Sequence, residues 1–243
     1  MSNKNIALLL PGISRSAKLC YDSLEKSILN NFNVDIFVHT YSQSNISVDE
    51  NHSEYENSYN ELIELLSPKE IVVEDYFEVR EKLRQKLACL HKVTAIHPMR
   101  CISSFYKIEK CFELLNNHDI EKYDFFVRAR MDILYEDRLN IDNINIGEIY
   151  IPKPCNKKTI FENGYYKSYS GDYMEQYVMD HFAVGDYESM MKYCKCYSNL
   201  EFLCNQRKIP LHPEWITKQN LLASKLEIKR FKFDYSLHRR PVI

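Results

Sequence analysis

The stretch from Tyr123 to Tyr135, YDFFVRARMDILY, constrains this chain most, because it reads as a buried strand that ends in charge. Phe125, Phe126 and Val127 form an apolar, β-prone run too short for an ordinary helix, and Arg128, Arg130 and Asp132 then recur at every second residue. Period two predicts one shared face for all three. Two guanidiniums and a carboxylate on one face suit a phosphorylated ligand and a divalent metal, with Arg taking the anion and Asp the cation. The plainer alternative is a surface ion-pair ladder on an edge strand. Ligands of open α/β sheets collect at the carboxyl ends of strands.

The rest of the chain supplies such a sheet. Lys4 to Leu10 predicts a first strand, and PGISRS a turn into a helix from about Ala17 to Asn30. Backbone N–H groups at that helix start, with Pro11, Gly12 and Arg15 in the turn, suit a phosphate or nucleotide; Arg15 reads equally as a solvated side chain. VDIFVHT, Val34 to Thr40, is continuous enough for an internal parallel strand, with His39 and Thr40 at its carboxyl end. His39 reads as a structural hydrogen-bonding residue or as a ligand contact.

A polar stretch, YSQSNISVDENHSEYENS, precedes an amphipathic helix from Tyr59 to Leu66 that Ser67 and Pro68 stop. The strand IVVEDY follows, then a one-striped helix from Phe77 to Lys92 and another from Pro98 to about Asn117. Ser104 and Lys107, on the polar side of that last helix, are one turn apart and able to reach one ligand. Strands alternating with helices predict an α/β fold with a mostly parallel central sheet flanked by helices.

Beyond the charged strand the spacing predicts a short strand from Glu148 to Ile151, then an irregular, tyrosine-rich loop from Cys155 to Tyr177 whose rings could stack on a sugar or base. MDHFAVG, Met179 to Gly185, reads as a short strand with Asp180 and His181 at its start. Asp186 then caps a helix to about Cys204, HPEW opens another helix, and IKRFKFDYSLHRR closes the chain as a strand-like segment with a basic tail.

Composition narrows the function. With 243 residues the chain reads as one domain, residues 1–243, and a net charge of -2 gives no bulk electrostatic case for nucleic acid or an anionic membrane. The apolar run Ile6 to Leu10 is too short for a signal segment or a membrane span, and eight cysteines without a CxxC pair read as reduced thiols; a cytoplasmic setting is expected. Five glycines supply neither a P-loop nor a GxGxxG turn, which argues against kinases, P-loop NTPases, dinucleotide enzymes and methyltransferases.

The order and spacing of the PGxxR turn, VDIFVHTYS, YDFFVRARMDI and MDHFAVGDYESMMKY resemble the nucleotide-sugar glycosyltransferases of GT-A type, more narrowly those of polysaccharide and lipopolysaccharide biosynthesis and of large DNA viruses. The resemblance spans about Ile6 to Arg239. It implies a Rossmann-like GT-A fold, with residues 1–135 binding the nucleotide sugar and residues 136–243 the glycan or saccharide acceptor. It also implies a divalent metal, Mn²⁺ or Mg²⁺, carried by an aspartate motif. RARMD offers Asp132 there, with Arg130 where the family shows the first acid, and His212 is a further candidate ligand. Arg15, Arg128, Arg130 and Arg239 would neutralise the leaving diphosphate. Asp180 matches the aspartate of a DxF segment and would be the catalytic base, with Asp172 and Glu175 in reserve. Glu214 and Trp215 would face the acceptor. The expected activity is transfer of a hexose or deoxyhexose; the alternative is a non-catalytic nucleotide-sugar or glycan-binding module on the same fold.

Overall fold

The computed structural model describes residues 4–13, 16–42, 59–91, 97–153, 157–161, 166–169 and 178–239, with side chains described outside 157–161, 166–169 and 238–239. Its strands are β1 (Asn5–Pro11), β2 (Asn33–Tyr41), β3 (Glu70–Glu74), β4 (Phe125–Arg128), β5 (Ile133–Tyr135), β6 (Glu148–Pro152), β7 (Lys157–Phe161), β8 (Tyr166–Tyr169), β9 (Ala183–Gly185), β10 (Glu227–Phe231) and β11 (Tyr235–Arg239). The helices are α1 (Ala17–Ser27), α2 (Tyr59–Leu66), α3 (Tyr76–Ala88), α4 (Pro98–Glu113), α5 (Tyr187–Cys194), α6 (Cys196–Glu201) and α7 (Pro213–Ala223).

Seven strands form the central sheet in the order β10-β6-β9-β4-β1-β2-β3, all parallel to their neighbours except β9, which runs antiparallel to both β4 and β6. The fold is therefore α/β with a mostly parallel sheet, as the alternation predicts. β1 and β4 are apolar on both sides because helices cover both faces. Ile6, Leu8, Phe125 and Val127 pack with Ala17 and Leu24 of α1 and Leu62 of α2 on one face. Ala7, Leu9 and Phe126 meet Ile108 and Phe112 of α4, Met190 of α5 and Leu221 of α7 on the other. Local signals set the helix ends: Pro98 opens α4, the Asp75 side chain accepts from Phe77 N, the Asp186 side chain accepts from Ser189 N, and Ser67 ends α2 with φ 43°.

A second sheet, in the order β5-β11-β7-β8, corrects two expectations. The segment read as one irregular loop contains β7 and β8, and the closing segment is two strands in two sheets. Period and length fail there because β7 pairs with β11, Thr159 opposite Leu237, so its partner is remote in sequence. The MDHFAVG strand is also shorter than expected: residues 178–182 form a turn and the ladder begins at Ala183. Likewise the helix expected from Asp186 to Cys204 breaks at Lys195 into α5 and α6 and ends in a π turn, Phe202–Gln206.

Among the described residues no helix is long and apolar enough to cross a membrane, and the seven cysteines described are all free thiols.

Candidate functional site

Strand order reverses at β1: the chain builds outward through β2 and β3, then returns to place β4 on the other side of β1. A crevice at the carboxyl ends follows wherever two successive connections leave in opposite directions. Here its walls are the loop after β1 and the loop after β4. Gly12 holds φ +149°, donates its N–H to His39 O at 3.0 Å, and faces Met131, whose Cε lies 3.7 Å from where a Cβ would stand. Only glycine adopts that backbone freely.

Helix α1 starts beside this crevice. Its N-cap residue Ser16 is 1% exposed, its first turn carries no acid, and the Ser16 Oγ meets no hydrogen-bond partner among the described residues. Ala17 and Cys20 line a narrow apolar cleft with Arg130 and Met131.

The charged triad does not continue as a ladder. β4 ends at Arg128, the chain turns at Met131 and Asp132, and the expected shared face is replaced by two arrangements. Arg128 is 2% exposed; its Nη1 donates to the carbonyl of Asp180, and its Nε has no partner among the described residues. Arg130 instead clamps Asp132 through two parallel bonds, Nε to Oδ1 at 2.7 Å and Nη2 to Oδ2 at 2.6 Å. Burial alone would ease the proton off Arg130, but the Asp132 carboxylate outweighs it and holds the guanidinium pKa above its ordinary value.

Because β9 is antiparallel, the turn that precedes it lies at the carboxyl ends of its parallel neighbours. That reversal brings Asp180 to the crevice, where its charge acts on Arg130. Asp180 is buried, with Oδ1 3.5 Å from His181 Nε2, and His181 Nδ1 lies 3.5 Å from the Tyr235 hydroxyl.

Next to the crevice, His39 and Thr40 near the end of β2 and Lys107 on α4 are buried. His39 Nε2 is 3.0 Å from Glu74 Oε2, an ion-pair distance off the hydrogen-bond line, and its Nδ1 meets no partner among the described residues. Glu74 also accepts from the Tyr106 hydroxyl at 2.9 Å. Burial would raise the Glu74 pKa, but these two neighbours together bring it below the ordinary value. Lys107 stacks its ammonium 4.8 Å over the Tyr41 ring, while Tyr41 Oη lies 3.2 Å from Ser103 Oγ and Ser104 is half-buried on the same helix.

The remaining candidates separate. Burial pushes the Cys101 thiol up, and the Asp180 and Glu214 carboxylates add to the shift. The partner of Glu214 is His212, Nδ1 to Oε2 at 2.9 Å, half-exposed before α7, and Trp215 is 40% exposed. Arg15, Asp172 and Glu175 lie outside the described residues, as does the side chain of Arg239 at the end of β11. Sequence reasoning missed Ser16 and gave no role to His181, which it placed beside Asp180. A serine directly before a helical pattern was the available signal for the first; a histidine adjoining the candidate base was the signal for the second.

A divalent ion does not fit the arrangement at Asp132. Both carboxylate oxygens accept from Arg130, and among the described residues no three His, Cys, Asp or Glu side chains gather to hold a metal. The chain matches no protein-family model and no curated protein.

Proposed function

We propose that this chain is a GT-A-type glycosyltransferase that moves a hexose or deoxyhexose from a nucleoside-diphosphate donor to a glycan acceptor. The observation that carries the reading is convergence: the Arg130–Asp132 pair, the uncapped start of α1 and the Asp180 turn all border the crevice where strand order reverses. Nucleotides bind at such places in α/β sheets because backbone N–H groups and strand-end side chains converge there. Residues 1–135 would hold the donor and the later half the acceptor, with Glu214 at its edge.

In an inverting transfer the acceptor hydroxyl oxygen attacks the anomeric carbon. The bond from that carbon to the diphosphate oxygen breaks, and the diphosphate leaves with the electron pair. Asp180 takes the hydroxyl proton, and guanidinium donors face the charge that develops on the leaving group. Asp180→Asn should lower turnover by roughly 10²- to 10⁴-fold, the range for a positioned base, and leave nucleoside-diphosphate binding unchanged. Loss of binding together with turnover would instead make Asp180 a structural residue.

The second reading, a binding module without turnover, draws support from the engagement of both Asp132 oxygens by Arg130. Nucleotide-sugar binding with no transfer or hydrolysis across donors and acceptors would favour it.

A further inference from the structure

Resting on the glycosyltransferase reading, we infer that the Arg130 guanidinium, clamped by Asp132, is the built-in cation of the diphosphate site, so that the pyrophosphate group binds without a divalent metal. In this arrangement Asp132 is the residue that positions Arg130, not a ligand to an ion.

The geometry of the fork carries the argument. Arginine presents five N–H donors, and the two bonds to Asp132 use one from Nε and one from Nη2. The Nη1 edge remains, and it has no acceptor among the described residues. The Arg130 side chain keeps 21% of its surface exposed, whereas Asp132 keeps 7%. Arg130 is therefore the more open member of the pair, and a ligand entering the crevice would meet it before the carboxylate. A metal at Asp132 would have to displace a positive group already bonded to the same two oxygens, in a partly desolvated site where like charges repel strongly.

The surroundings add hydrogen-bond donors, because the clamped pair is neutral as a whole. Helix α1 begins along the same cleft, with no acid in its first turn and no side-chain cap among the described residues, so its first-turn N–H groups suit an anion. The Ser16 Oγ beside them is buried and without a partner among the described residues. Arg128, a 2% exposed guanidinium that bonds the Asp180 carbonyl and pairs with no carboxylate among the described residues, adds a second positive group beside the Asp180 carboxylate.

The test uses inorganic pyrophosphate as the probe, measured by titration calorimetry in EDTA, and Mn²⁺ alone, measured by electron paramagnetic resonance. The inference expects wild-type chain to bind pyrophosphate in EDTA and to leave Mn²⁺ free. R130M should weaken pyrophosphate binding by about tenfold or more, the loss expected for a charged hydrogen bond. Should R130M unfold, the shape-conserving R130Q/D132N variant, whose folding is checked by circular dichroism, must show the same loss, with R130K intermediate. Mn²⁺ binding by the free chain that D132N abolishes would overturn the inference, as would pyrophosphate binding that requires added metal. Both of those results leave the glycosyltransferase reading standing. Failure of pyrophosphate and of every nucleoside diphosphate to bind, with and without metal, would overturn the inference and that reading together.

Discussion

Removing Arg130 should cost this fold more than removing Arg130 and Asp132 together. Arg130→Met leaves the Asp132 carboxylate, 7% exposed, without either of its two short bonds. Breaking a buried pair on one side costs roughly 3–5 kcal/mol, and the 21% exposure of Arg130 lets water reach part of the vacated space. The expected loss therefore sits at the low end, about 3 kcal/mol, or roughly two decades in the folding equilibrium. R130Q/D132N removes both charges and keeps the shape, so it should cost no more than about 1 kcal/mol. Urea titration followed by far-ultraviolet circular dichroism reads both. At a slope of about 3 kcal/mol per molar, R130M should lower the midpoint by about 1 M and the double variant by about a third of that. A single substitution costing under about 0.5 kcal/mol would mark an ordinary surface pair and refute the clamped arrangement.

Two further outcomes follow from other parts of the molecule. Asp35 accepts from Lys122 at 2.6 Å and from Lys69 and Tyr123 at 2.7 Å; burial would raise its pKa, but these donors outweigh it and hold the carboxyl well below the usual range. A depressed folded-state pKa gives stability that is complete above the unfolded value near 4 and is lost as pH falls below it, so Asp35→Asn should flatten the decline in urea midpoint between about pH 5 and pH 2.5; an unchanged slope would remove Asp35 from the acid response. Gly12→Ala should destabilise by about 1–3 kcal/mol through its φ of +149° and not through crowding, because the added Cβ would stand 3.7 Å from Met131 Cε; wild-type stability in that variant would contradict the backbone at the crevice.

Much of the scaffold was legible because its signals are local. Ile6 to Leu10 in β1 and Ile36 to Val38 in β2 are apolar at every position, as strands covered on both faces are, and Pro98, Asp186 and Ser67 mark helix ends by their own backbone chemistry. The second sheet was not legible, since β5 and β7 both pair with β11, a partner far along the chain that no periodicity reveals, and β8 joins it through β7. The site divides in the same way. Spacing placed Arg128, Arg130 and Asp132 near a strand's end, but it could not show that the strand stops at Arg128 and that Arg130 folds back onto Asp132. Asp180 was singled out by its place before an apolar run and by its match to the DxF aspartate of the resembled family, whereas its arrival at the crevice depends on the reversed direction of β9. The contacts of His39 with Glu74 and of Lys107 with Tyr41 join different elements, so sequence order carries no trace of them.

Thermal unfolding against a panel of nucleoside diphosphates and nucleotide sugars, each in EDTA and in Mn²⁺, tests the central claim most directly. A ligand bound only by the folded chain at about 100 times its dissociation constant adds roughly 2.7 kcal/mol, which in a domain of this size raises Tm by about 5–10 °C. The account predicts such a rise for the nucleotides of one base, as large in EDTA as in Mn²⁺. No rise with any member of the panel would contradict it.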